Sequence, residues 1–215
     1  MSFISLNFVV LFACTFILYH TLPSRFRKAT LLTASCLFIG FYHLTFLITA
    51  LILTLTTFYL GKWIGQAKRE SGMKGIYFSG VCFLVVSWLA FRYADRLTDC
   101  HILFPLGISF YTFQAISYLT EIYWQEEEPE KSLPDFMIYM LFFMKFLSGP
   151  IERASDMLPQ LKSCKATDYT SMVYGMRLIV VGLIKKLILA DSIAPYIDGV
   201  FGSVYTASDV QLLMA

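Results

Sequence analysis

From Ala29 to Leu60 the chain carries no Asp, Glu, Lys or Arg, and basic residues close the stretch at both ends. Arg25, Arg27 and Lys28 precede it; Lys62, Lys68, Arg69 and Lys74 follow. As one helix it would run about 48 Å at 1.5 Å per residue, far beyond a hydrocarbon core of about 30 Å. If both basic clusters face the cytoplasm, the stretch must cross an even number of times. The expectation is a hairpin of two short tilted helices of about 15 residues each, turning near Gly40–His43.

The remaining apolar runs extend this pattern. Phe3–Tyr19 has no Lys or Arg before it and no small-residue cleavage site after it, so it reads as a first helix with an external N-terminus. Ile76–Phe91 gives another crossing, ending in an outer loop, Arg92–Cys100; His101–Trp124 follows. Ser132, Leu133, Pro134 and Asp135 spell a helix start with an N-cap and an early proline. That helix is expected to reach about Leu147 and break at Gly149–Pro150. A polar stretch then leads to Met172–Ala190, a further apolar helix. The fold class is all-α: a polytopic transmembrane helical bundle of roughly six or seven membrane-embedded helices, some short, tilted or re-entrant. Residues 1–215 are expected to form part of one membrane-embedded domain in the cytoplasmic (inner) membrane. Ser208 and Gln211 have capping-box spacing, but the helix they announce has only Leu212–Ala215 to fill it. The chain therefore reads as C-terminally truncated.

Composition agrees: 57% hydrophobic and 15% charged residues depart from soluble averages in the same direction. The 20 Phe and 13 Tyr exceed what a soluble core of this size needs, and lipid-facing and interfacial positions account for them. Basic residues cap apolar runs instead of forming a stripe, so nucleic acid is excluded as a partner. Five scattered cysteines with no C-x-x-C pair give no metal or disulfide framework.

Three stretches place polar groups in apolar surroundings. Along Leu103–Tyr118, continuing to Glu121, helical spacing puts Gln114, Ser117, Tyr118 and Glu121 on one face. Such a face wants other helices or a wet cavity, so it is either a passage wall or interhelical glue, the second being the commoner arrangement. Met144–Leu161 holds Lys145, the Gly149–Pro150 break, then Glu152, Arg153 and Asp156. A broken backbone at membrane depth lines a cavity or lies buried in protein, so this is a re-entrant element or an ordinary interfacial helix end. In Gly182–Asp191, Lys185 and Lys186 can snorkel to headgroups or attract an anionic donor; anchoring is the plainer role. His20, His43 and His101 sit at helix ends or turns without an acidic or nucleophilic neighbour at useful spacing.

These three blocks, in this order, resemble the membrane-bound O-acyltransferase family, in its bacterial branch related to alginate O-acetyltransferase and the teichoic-acid D-alanyl transferase. The matching residues are Leu106–Gln114 with Ser117 and Tyr118, then Leu147–Ala154 with Leu158–Leu161, then Gly182–Lys186 with Ala190 and Asp191. The resemblance implies a many-helix fold around a tunnel, where a cytoplasmic acyl donor meets an acceptor from the other side. It implies O-acetyl transfer toward an exported or cell-surface polysaccharide, with acetyl-CoA or an acyl-carrier thioester as donor. An extracytoplasmic partner protein is implied as a relay. Its candidate tunnel or motif residues here are Gln114, Ser117, Tyr118, Lys145, Gly149, Pro150, Glu152, Arg153, Lys185, Lys186 and Asp191. The family's two catalytic histidines have no counterpart here, since no histidine follows His101, and the chain alone is expected to be inactive. A membrane transporter or a non-catalytic membrane scaffold are the alternatives; the visible lack of internal pseudo-symmetry counts against transport.

Overall fold

The structure, a computed structural model, describes residues 6–67, 69–97, 107–146, 151–163 and 168–202. Regular structure among them is helical throughout. Two compact units divide the chain, Met1–Cys164 and Lys165–Ala215. The first holds α1 (Leu6–Thr21), α2 (Ser24–Tyr42), α3 (Leu44–Gln66), α4 (Glu70–Leu97), α5 (Ile108–Tyr123), α6 (Leu133–Leu141) and α7 (Ala154–Ser163). The second holds α8 (Tyr169–Ile184), a π-helical segment (Lys185–Ala190) and α9 (Asp191–Gly202).

The long charge-free stretch is broken at His43, whose extended backbone (φ −166°, ψ 136°) ends α2 and caps α3. The arms run to 19 and 23 residues, longer than the sequence suggested. The reason lies outside the apolar run: α2 already starts at Ser24 and takes in the basic cluster, while α3 continues to Gln66. Likewise α4 begins at Glu70, where a Glu70–Lys74 pair at 2.6 Å sits one turn apart, and runs on through Arg92. The first residues of the expected outer loop are therefore helix. Two helices, Leu44–Gln66 and Glu70–Tyr93, are long and apolar enough to cross a membrane. Only 11% of the apolar window of the second is buried, so its hydrophobic surface points outward; the core helix of a water-soluble protein would hide it.

Helix α3 is the hub, packing on α2, α4, α5 and α6. Its fit to α5 depends on Gly61: a Cβ there would come within 2.8 Å of the Tyr118 ring. Buried hydroxyls on α3 turn back on their own helix, Thr54 Oγ1 to the Ala50 carbonyl and Thr57 Oγ1 to the Leu53 carbonyl, both at 2.7 Å. The α4–α5 contact is more specific. Tyr77 and Tyr123 stack with centroids 4.3 Å apart, the Tyr77 hydroxyl meets Thr120 Oγ1 at 3.1 Å, and Trp88 Nε1 donates to Ser109 Oγ at 2.9 Å.

At α6 the expected start is found and the expected end is not. The Asp135 N–H donates to Ser132 Oγ at 3.5 Å, with Pro134 in the first turn. The helix stops at Leu141, well before the Leu147 that the sequence suggested. Phe142 turns out of helical conformation, the Phe143 N–H donates to Ser35 Oγ on α2 at 3.2 Å, and Phe143 and Phe146 are both buried. Gly149 and Pro150, the expected break, lie outside the described residues, as does the Ser208–Gln211 box. The stretch expected to be merely polar contains α7.

Gly107 opens α5 in the left-handed region (φ +73°), and a Cβ there would collide with the Phe146 carbonyl oxygen. Gly107→Ala should lower the thermal unfolding temperature in detergent, the backbone conformation alone costing about 1 kcal/mol and the collision adding to it. Gly72→Ala, where a Cβ meets nothing, is the control. Equal stability of the two variants would contradict this account.

Candidate functional site

Helix α5 carries the polar stripe inward. Gln114 and Tyr118 are each 1% exposed and Glu121 5%, so the spacing argument identified a buried face. Gln114 Nε2 donates to the Tyr139 carbonyl on α6 at 2.9 Å. Tyr118 accepts the Glu130 N–H on its phenol oxygen at 3.0 Å. Ser117 Oγ donates to Glu121 Oε1 at 3.3 Å. The other oxygen, Glu121 Oε2, is buried without a hydrogen-bond partner, while the Ser155 N–H and the Arg153 guanidinium stand near the carboxylate. Gln114 and Tyr118 thus act as interhelical ties; Ser117 and Glu121 form a buried polar pair with acceptor capacity to spare.

Lys145 follows the early end of α6 and is buried among three partners. Its Nζ donates to Glu152 Oε2 at 3.0 Å and to Met157 Sδ at 3.1 Å, and lies 4.6 Å from the centroid of the Tyr139 ring. The Tyr139 hydroxyl in turn donates to the Glu152 carbonyl at 3.1 Å. These contacts clamp the segment entering α7 onto α6. Arg153 is exposed and Glu152 half-exposed, so the pair joins a buried cation to a partly wetted anion. An ammonium so engaged is a clamp before it is a base.

Two further pairs were not singled out by the sequence. Asp135, 3% exposed, holds Lys28 of α2 at 2.7 Å. Glu130 is 4% exposed. It accepts the Lys131 and Ser132 N–H groups at 2.9 and 2.8 Å and pairs with Lys162 of α7 at 2.6 Å. A small cavity of about 160 Å³ beside it is lined by Glu127, Glu130, Lys131, Leu158, Pro159 and Lys162. The signal available in the sequence was position: Glu130 stands two residues before the Ser132 cap, where backbone N–H groups need acceptors. The hydrogen bond to Glu130 holds the Lys162 ammonium above the ordinary lysine range.

In the second unit, Lys186 pairs with Asp191 across the π-helical segment, and Lys185 is exposed. Residues five apart do not share a face of an α-helix, but i→i+5 winding brings them together. Lys185, Lys186 and Asp191 belong to a unit separate from the α5–α7 cluster. Among the described residues no group of three or more His, Cys, Asp or Glu is placed to hold a metal ion.

Helices of membrane length, with polar side chains turned inward and matched to one another, define a helical protein suited to a membrane. Relatedness narrows the class. The chain is 31% identical over 220 residues to the protein named "Probable alginate O-acetylase AlgI" of Azotobacter vinelandii, the match covering 94% of this chain and 44% of that one. Its namesake in Pseudomonas aeruginosa is 30% identical, covering 94% and 42%. A "Peptidoglycan O-acetyltransferase" of Helicobacter pylori is 24% identical, covering 88% and 43%. No family model and no solved structure matches the chain. The chain is thus related along nearly its whole length to proteins named as O-acetyltransferases, as the three blocks implied, and spans less than half the length of the relatives it matches.

Two predictions follow from the pairs. Glu152→Gln strands a buried ammonium, whereas Lys145→Met replaces it with an apolar group of similar length. The first should therefore lower the unfolding temperature more than the second, and the reverse order would refute the clamp. Because Lys162 is held above its ordinary range, its pair with Glu130 contributes fully below that range and is lost only as pH rises through the raised value. Lys162→Gln should thus raise amide hydrogen exchange in residues 154–163 at neutral pH and leave residues 108–123 unchanged. Wild-type α7 should loosen only in strong alkali. Unaltered exchange in α7 would dismiss the pair as structural support.

Proposed function

We propose that the chain is the part of a multi-pass cytoplasmic-membrane O-acetyltransferase that frames its passage, for acetyl transfer toward an exported or cell-surface polysaccharide. The observation that carries this reading is similarity along nearly the whole chain to proteins named for O-acetylation of alginate and peptidoglycan. The fold supports it in a specific way. The matched blocks are not scattered: the first supplies the inward face of α5, and the second supplies Glu152, which Lys145 clamps at the entry to α7. A buried stripe with an unsatisfied carboxylate oxygen at Glu121 is suited to the polar wall of a passage, where a hydroxyl-bearing acceptor or water supplies the missing donor.

The donor in this reading is a thioester, acetyl-CoA or an acyl-carrier thioester, presented from the cytoplasmic side. The acceptor hydroxyl arrives from the opposite side, directly or through an extracytoplasmic relay protein. Basic Lys185 and Lys186 suit an anionic donor or the headgroup region, and the π-helical turn fixes Lys186 on Asp191. The base for the attacking hydroxyl is not assigned to any histidine of this chain.

Deleting the gene that encodes this chain should reduce the ester-linked acetate released by mild alkali from an exported or surface polymer. Restoring the gene should restore the ester, and Glu121→Gln should restore less while membrane-fraction protein remains at wild-type level. Unchanged acetate in every surface polymer of the deletion strain would sink the proposal.

A further inference from the structure

Between α1 and α2 lies an apolar trough of about 450 Å³, walled by Leu11, Leu18 and Leu22 on one side and Ala29, Thr33 and Leu37 on the other. Two of its hydroxyls are already spent: Thr15 Oγ1 donates to the Leu11 carbonyl at 2.7 Å and Thr30 Oγ1 to the Phe26 carbonyl at 3.0 Å. The walls therefore offer an occupant contact and little hydrogen bonding. From Leu11 to Leu22 an α-helix rises about 16 Å, close to half of a hydrocarbon core of about 30 Å. The trough has the depth of one leaflet.

Its end at the α1–α2 corner is cationic. Ala29, Thr33 and Leu37 follow one another at i+4, and the preceding member of that row is Arg25. Arg27 stands on the other flank, one turn before Thr30. Neither guanidinium has a carboxylate partner among the described residues. Arg25 lies 4.8 Å from the Phe26 ring centroid and Arg27 5.3 Å from that of Tyr19, while Arg27 Nε is buried without a hydrogen-bond partner. Their neighbour Lys28 is taken by Asp135. The first turn of α2 has no acidic residue and no side-chain cap, so its dipole adds to the positive charge at this corner. Cations gathered at a helix N-terminus repel that dipole unless an anion joins them.

We propose that this trough binds an anionic phospholipid, one acyl chain lying along α1 and α2 and the headgroup phosphate held by Arg25 and Arg27. The site rests on the membrane-embedded reading given above. A leaflet-deep apolar channel ending in two uncompensated guanidiniums matches that one molecule at both ends; a zwitterionic lipid brings the same phosphate but sets a choline cation beside it, so it matches the cationic end less well.

The test uses the full chain purified in detergent and titrated with phosphatidylglycerol or phosphatidylcholine of identical acyl chains, bound lipid being counted by native mass spectrometry. Wild type should prefer phosphatidylglycerol. Arg25→Gln with Arg27→Gln should weaken that binding about twenty-fivefold, at about fivefold per cation, and weaken phosphatidylcholine binding far less. Thr33→Trp, which fills the trough, should weaken both lipids. Lys62→Gln removes a cation that lies over the Phe58 ring, away from the trough, and should bind as wild type. Equal affinity for the two lipids, or undiminished phosphatidylglycerol binding by the double variant, overturns the proposal. So does a wild-type dimer that Thr33→Trp dissociates, since a second copy would then own the trough. A chain absent from the membrane fraction before any lipid is added would instead overturn the membrane reading itself.

Discussion

Polar groups carried into an apolar bundle must find their partners inside it, and the bond from Gln114 to the Tyr139 carbonyl is where that constraint bites hardest. An amide left unpaired at 1% exposure would cost about 1–3 kcal/mol. Instead it fixes the rotation of α5 against α6. With that rotation set, Tyr118 reaches the Glu130 N–H and packs on Phe136, and Gly61 of α3 can lie against its ring. Each contact presupposes the others. The result is a seam in which hydrogen bonds choose the register and aromatic packing supplies the bulk of the contact.

The same seam explains why α6 is short. Continuing it to Leu147 would carry Phe143 and Lys145 around with the helix. Ending it at Leu141 buries Phe143 and Phe146 and brings the Lys145 ammonium over the Tyr139 ring and onto Glu152. The segment entering α7 is thereby anchored by a charge, and Lys162 on α7 returns the anchorage to Glu130. The flanks of α6 and α7 are joined by two ion pairs, each with one buried end and one wetted end. That division matters: a wholly buried pair carries a large desolvation cost, while a wholly exposed one contributes little.

Some of this was legible in the sequence because it depends on local rules. The interruption at His43 could be placed from the length of a charge-free run set against the thickness of a bilayer. The start of α6 could be read from Ser132, Pro134 and Asp135, because capping involves residues three apart. The inward face of α5 could be read from a spacing of three and four. What could not be read depends on distant partners. The Phe143 N–H bonds Ser35, Lys28 finds Asp135, and Glu130 finds Lys162, and nothing in the neighbourhood of either member announces the other. The π-helical turn at Lys185–Ala190 was equally hidden, since the sequence there reads as ordinary amphipathic helix.

The inward polar residues of and around the first two blocks therefore divide by what their polar atoms do. Gln114, Tyr118 and Lys145 are committed to neighbours within the chain, so they report on a scaffold. Glu121 is different. Ser117 occupies one of its oxygens, the other is buried without a hydrogen-bond partner, and the Ser155 N–H and the Arg153 guanidinium stand near the group. A glutamine or leucine would fill the same space without the cost of bringing a carboxylate out of water. A buried carboxylate with acceptor capacity left over is where the proposed passage would meet its cargo, which makes Glu121, and not the clamp around Lys145, the side chain to follow from scaffold to the proposed chemistry.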